Sequence, residues 1–205
     1  AIRRPFVFRK YLDFGAINAM RELHAQIRQE VAKKDMADNV KLGPGGIREI
    51  EFIAQVFQLI RGGRDPALQI KPTLQVLQLL AANGTLAAEA VAELATAYDF
   101  LRRVEHRLQY LDDAQTHMLP TGAEDRALVA RAMGFGSYEG LLAELDDHRA
   151  NVARHFEAVP TRSELVTVIH RHDDVVAEVV HRTVEGEALL DVTDVDVGAW
   201  DASTR

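Results

Sequence analysis

The chain predicts a mainly α fold, a helical bundle that follows a short extended segment. Three observations carry that expectation. Apolar residues recur at three- and four-residue spacing from position 14 to 158. Nothing in that stretch alternates with period two, as a half-buried strand would. Glycine and proline mark the joins between the periodic runs, as expected for packed helices with short connections. Apolar residues make up 47% of the 205, enough for a sizeable core.

Taken in order, Ile2 to Leu12 is rich in Phe, Val and Tyr and reads as extended, with Pro5 keeping it out of a sheet centre. Asp13 is a candidate N-cap for a helix carrying Ile17, Met20, Leu23, Ile27 and Val31, which runs to Lys33-Lys34. A glycine-rich turn follows. The next helix spans about Gly46 to Arg61, with Ile50, Ile53, Phe57 and Ile60 on one stripe, and Gly62-Gly63 ends it. Pro72 suits the first position of another helix (Leu74, Leu77, Leu80), closed by Asn83-Gly84. Thr85 starts the longest helix, whose face is built by Val91, Leu94, Tyr98, Leu101, Leu108 and Leu111 and which stops before Pro120. A shorter helix runs from about Ala123 to Met133. Ser137 caps a last one through Leu141, Leu145, Val152 and Phe156.

Pro160 marks a change in composition. Leu165 to Val184 is valine-rich and reads as either helix or strand, and Gly186 to Arg205 is acidic with few large apolar groups. Residues 161–205 hold four basic and ten acidic residues, a net of −6 out of −7 for the whole chain. A near-neutral body with an acidic tail argues against nucleic-acid affinity, which needs a clustered basic face. No apolar run approaches the roughly 20 residues that span a bilayer, so no membrane role is expected. Cysteine is absent, which excludes disulfides and cysteine-ligated zinc and fits a reducing cytoplasm. The chain opens at Ala1 without an initiator Met or a basic-then-apolar leader, and reads as a piece of a longer protein.

The densest chemistry lies in Lys41-Leu42-Gly43-Pro44-Gly45-Gly46-Ile47-Arg48-Glu49-Ile50-Glu51-Phe52-Ile53-Ala54-Gln55. Gly43, Gly45 and Gly46 with Pro44 fix an unusual backbone path directly before a helix. Amides of such a turn, with those opening the helix, can form a positively polarised cradle for phosphate, flanked by Lys41 and Arg48. The rival reading is a tight corner whose charges sit in solvent. The run is neither a nucleotide-hydrolase phosphate loop, which ends in Gly-Lys-Ser/Thr, nor a dinucleotide fingerprint. Arg48 and Glu51 (i, i+3) and Glu51 and Gln55 (i, i+4) share a helix face. They make either an intrahelical ion pair or a polar stripe on which Arg48 faces phosphate while Glu51 orients it or holds an outer water of Mg²⁺. Glu105 pairs by spacing with Arg102, and with Gln55 these suggest a polar network joining the long helix to the glycine-turn helix. His170-Arg171-His172-Asp173-Asp174 lacks the further ordered ligands of a metal site. Asp194-Val195-Asp196 lacks the preceding Gly-Ser helix opening of a nucleotidyltransferase, so no metal ligand is assigned.

The glycine run, together with Gln58-Leu59-Ile60-Arg61-Gly62-Gly63-Arg64, resembles the bifunctional enzyme family that adenylylates and deadenylylates glutamine synthetase. Arg4-Pro5-Phe6-Val7-Phe8-Arg9-Lys10-Tyr11-Leu12-Asp13 is similar to the end of that family's nucleotidyltransferase domain. Leu101-Arg102-Arg103-Val104-Glu105-His106-Arg107-Leu108-Gln109 and Gln115-Thr116-His117-Met118-Leu119-Pro120 resemble its helical domain. The likeness covers roughly residues 3 to 158. The uridylyltransferase of the PII signalling protein carries a shorter relative of the glycine motif and is the weaker match.

The resemblance implies 1–13 as the C-terminal edge of an α/β nucleotidyltransferase domain and 14–158 as a helical domain with the motif at 41–55; 159–205, to which the likeness does not extend, is set apart by composition as an acidic tail. It implies a cytoplasmic parent enzyme using Mg²⁺ and ATP, ADP or phosphate, with glutamine synthetase and the PII protein as partners in nitrogen control. The motif and Arg61-Gly62-Gly63-Arg64 look more like the N-terminal, adenylyl-removing half, in which phosphate takes AMP from a tyrosine and releases ADP. Lys41, Gly43, Gly45, Gly46 and Arg48 would bind phosphate or nucleotide. The family's metal-holding carboxylates lie upstream of Ala1, so this chain alone is expected to be catalytically silent. Two rivals stand beside that reading: a non-catalytic helical interaction module, and the uridylyltransferase.

Overall fold

The computed structural model describes residues 37–112 and 116–159, with isolated positions 7, 8, 22, 25, 26, 29, 30 and 33. The chain divides into two compact units, Ala1–Val159 and Pro160–Arg205. The second unit lies outside the described residues, as do His170-Arg171-His172-Asp173-Asp174 and Asp194-Val195-Asp196. Positions 22, 25, 26, 29, 30 and 33 are helical and exposed, while the apolar stripe expected from Ile17 to Val31 falls outside the described residues. Val7 is helical, a departure from the extended reading of 2–12 at the one position of regular structure described there.

The architecture is mainly α. Five helices have assigned bounds among the described residues: α1 (Ile47–Arg61), α2 (Thr73–Ala82), α3 (Ala88–Asp112), α4 (Ala123–Ala132) and α5 (Tyr138–Glu157). No strand is assigned among those residues. The most extensive packing is between α3 and α5, and α1 touches α2, α3 and α5. That central position explains why α1 buries far more than one stripe: Ile47, Ile50, Phe52, Ile53, Ala54, Val56 and Phe57 all lie inside.

Helix α3 is the spine. Val91, Leu94, Ala97, Leu101, Val104 and Leu108 are buried at three- and four-residue spacing, with Glu105 on the same face. Each fully buried Leu or Ile contributes about 1.5–3 kcal/mol of transfer free energy, so this seam dominates the packing. The helix starts at Ala88 rather than Thr85, because the Thr85 and Leu86 amides bond back to the Leu80 carbonyl (2.9 and 3.1 Å) and close the preceding turn. Pro72 likewise stands one position outside α2, as its N-cap. Gly84, at φ +70°, provides the left-handed turn after α2.

Two further features appear that no local periodicity signals. A 3₁₀ turn, Pro66–Leu68, buries Leu68 and is held by the Gln58 amide donating to the carbonyls of Leu68 (2.6 Å) and Ile70 (2.8 Å). The segment before the glycine turn pairs antiparallel with residues 117–119. The Val40 amide donates to the His117 carbonyl (2.9 Å) and the Leu119 amide to the Asp38 carbonyl (3.1 Å).

Candidate functional site

The glycine turn begins at Asn39, a buried side chain whose Oδ1 accepts from the amides of Lys41 (3.0 Å) and Leu42 (2.8 Å). The Gly43 amide donates to the Asn39 carbonyl, Gly46 to Gly43, Ile47 to Val40, Arg48 to Lys41 and Glu49 to Gly46, all at 2.8–3.2 Å. The Gly45 amide donates to Oε2 of buried Glu49 (3.1 Å), a reach-back from the third helical position in the manner of a capping box. Pro44 has no N–H to offer. Every amide from 41 to 49 is therefore already spent inside the turn, and the expectation of an amide cradle is corrected. The physical reason is that a buried turn must satisfy its own donors.

The glycines serve packing instead. Gly45 has φ +67°, and a Cβ there would stand 2.6 Å from the Cα of Arg149 on α5. A Cβ at Gly46 would lie 2.8 Å from the carbonyl oxygens of both Gly43 and Lys41. Gly43 is buried in the same turn. The run lets the backbone lie flush against α5 and then enter α1.

The flanking cations diverge. Arg48 is exposed, with no ion pair or side-chain hydrogen bond among the described residues. Glu51 is half-buried and Gln55 exposed, and no bond ties Arg48, Glu51 and Gln55 together. Gln55 thus stands outside the polar network expected of it. Lys41 turns inward, its Nζ donating to Oε1 of Glu105 at 3.4 Å.

Glu105 is the centre of that network. Its side chain is 2% exposed, deep enough that an unpaired charge would be costly. Arg102 donates to Oε2 from one turn earlier on α3. His117 Nδ1 sits 3.1 Å from Oε1, close enough for attraction though not aligned as a hydrogen bond. Glu105 therefore clasps α3, the glycine turn and the 117–119 segment together. Its sequence signal is legible: it shares a face with Leu101 and Leu108, where a carboxylate must be paired. Lys41 and His117 carry no such signal, because their approach to Glu105 is set by the Asn39–Met118 pairing.

Elsewhere, Arg149 on α5 keeps Nε and Nη2 buried without a hydrogen-bond partner among the described residues, and burial draws its guanidinium below the usual arginine range against the opposing pull of Asp146, Asp38 and Tyr138. Burial raises the Tyr138 hydroxyl, while Arg126 lies 5.2 Å over its ring. Glu93 on α3 receives His155 (2.6 Å) and Arg154 (2.5 Å) from α5; the His155 bond, then the Arg154 bond, hold its carboxyl below the usual range.

Among the described residues no cluster of three or more His, Asp or Glu side chains is placed to hold a metal. Glu49 caps the turn and Glu105 is matched to cations, so these residues do not fit Mg²⁺ directly. No helix among them is long and apolar enough to cross a membrane.

Residues 21–159 match the model of a family described as GlnD PII-uridylyltransferase. Curated relatives share high identity. A bifunctional glutamine synthetase adenylyltransferase/adenylyl-removing enzyme of Aromatoleum aromaticum is 67% identical over 158 residues, covering 77% of this chain and 17% of the relative. Proteins of the same description from Nitrosomonas eutropha (62% over 158 residues, 77% and 17%) and Neisseria meningitidis serogroup B (57% over 164 residues, 80% and 18%) are similar. The chain spans less than a fifth of the length of these relatives.

Proposed function

Because the chain belongs to the family described as GlnD PII-uridylyltransferase, we propose that it is the helical part of a nucleotidyltransferase that adenylylates and deadenylylates glutamine synthetase. The observation that carries this reading is the 67% identity with a bifunctional enzyme over 158 residues, 77% of this chain. The half in question is the adenylyl-removing one. There a phosphate oxygen attacks the phosphorus of AMP-tyrosine, the bond to the tyrosine oxygen breaks, that oxygen takes a proton, and ADP leaves.

In this reading phosphate is met by side chains, since the turn's amides are engaged. Lys41 and Arg48 flank the turn, and Gly43, Gly45 and Gly46 shape it so that α1 presents Arg48 while Glu105 of α3 holds Lys41. Glu51, with no partner among the described residues, is free to orient Arg48 or an outer water of a metal. Mg²⁺ would be held by carboxylates other than Glu49 and Glu105, and would supply charge neutralisation at the phosphate oxygens. The chain by itself is then a wall of the site, without catalysis of its own. Glutamine synthetase and the PII protein are the partners this implies, in the cytoplasm.

The test is Arg48→Ala in a full-length enzyme. Deadenylylation is expected to fall about tenfold or more, as for loss of a cation at a transferring phosphoryl group, with the circular dichroism unchanged. Unaltered activity removes Arg48 from the site. The self-satisfied turn favours one rival, a purely structural module, and that rival predicts no loss. Transfer of UMP to PII by the full-length enzyme would instead favour the uridylyltransferase.

A further inference from the structure

We propose that Lys41, Arg102 and His117 form a composite site for a small phosphate-bearing anion, with Glu105 as the residue that positions all three. The inference deepens the phosphate reading above and rests on it, adding Arg102 and His117.

The charge count comes first. One buried carboxylate faces two permanent cations and an imidazole. A single cation would neutralise Glu105. The second, gathered on the same group, leaves an excess of positive charge, and an added anion balances it.

The donor count agrees. An ammonium offers three N–H groups and a guanidinium five, while Glu105 accepts one from each. Most donors on both cations remain available, and the guanidinium fork suits two phosphate oxygens at once.

Exposure sets the direction of approach. Glu105 is 2% exposed, whereas Lys41, Arg102 and His117 are 30%, 36% and 23% exposed. An anion arriving from solvent therefore meets these three side chains and is separated from the carboxylate by them. The three side chains come from three segments, locked by the glycine turn, the body of α3 and the Asn39–Met118 pairing. Such a site is formed before its ligand arrives, which lowers the ordering cost of binding.

Inorganic phosphate titrated into the full 205-residue chain at constant ionic strength, followed by the NMR signals of the His117 ring, provides the test. A saturable shift is expected. Lys41→Ala and Arg102→Ala are each expected to weaken binding at least about fivefold, as loss of a charge-assisted contact requires. Arg103→Ala, its side chain on the exposed face 4.0 Å from Asp99, should leave binding unchanged. Arg102→Lys keeps the charge toward Glu105 without the fork and should give an intermediate affinity, which covers the case in which the alanine variant unfolds. No saturable shift, or Arg102 variants that titrate like the wild type, overturns the site. If phosphate binding instead depends on Arg48 alone, the broader phosphate reading survives and this inference fails. If binding depends on Arg102 and His117 while Arg48→Ala leaves deadenylylation intact, this site stands and the Arg48 role falls.

Discussion

At Gly45 two constraints coincide, a left-handed φ of +67° and the backbone of Arg149 pressed against the place where a side chain would begin. Either alone disfavours substitution; together they exclude it without movement of α5. Gly45→Ala is expected to cost about 2–4 kcal/mol of unfolding free energy, measured in urea, as strain and overpacking combine. A cost below about 0.5 kcal/mol, the scale of ordinary surface changes, would show that the turn is not held against α5. A need for glycine within 43–46 is legible in the sequence. The reason for it is not. Only Gly45 takes the left-handed conformation, while Gly46, at φ −82°, is required by the nearby carbonyls of Gly43 and Lys41. Free amides and close packing demand the same residues, and only the acceptors at Asn39, Val40, Lys41, Gly43, Gly46 and Glu49 distinguish them.

Helices reveal themselves most clearly where apolar spacing and end signals agree. α1 ends at Arg61 before a glycine pair, and α5 begins at Tyr138 after Ser137, whose hydroxyl accepts from the Gly140 amide at 3.1 Å. Ser137→Ala should destabilise the chain by about 1 kcal/mol, the usual value of such a cap, seen as a lowered thermal midpoint. An unchanged midpoint would mean that packing alone fixes the start of α5. The differences from expectation lie at ends governed by other groups. α3 starts late because Leu80 captures the Thr85 and Leu86 amides, and the Pro66–Leu68 turn forms because Gln58 reaches across to it. Glu105 shows the same division within one helix: its pairing with Arg102 follows from i, i+3 spacing, whereas Lys41 reaches it from 64 positions away.

Across the whole described body, α3 and α5 are tied by core side chains and, near their ends, by Glu93 with His155 and Arg154. The carboxyl of Glu93 lies below its ordinary value of 4.5 in the folded chain. Its contribution to stability is therefore present above that value and lost as pH falls through the lower folded one. Glu93→Gln should be less stable than the parent near neutral pH, and the difference should shrink below pH 4.5 in parallel urea titrations. A gap that stays constant with pH would show that His155 and Arg154 do not act through this carboxylate.

Composition, periodicity and the Gly, Pro and Ser signals were sufficient for the mainly α character, the places of α1 to α5 and the pairing of Arg102 with Glu105, because each depends on neighbours within a turn or two of helix. The partners of the turn's amides, the meeting of Lys41 and His117 at Glu105, and the close approach of Gly45 to α5 were settled only by the tertiary structure. Those contacts join residues far apart in the chain, and no local spacing encodes which distant group will arrive to satisfy a buried donor or charge.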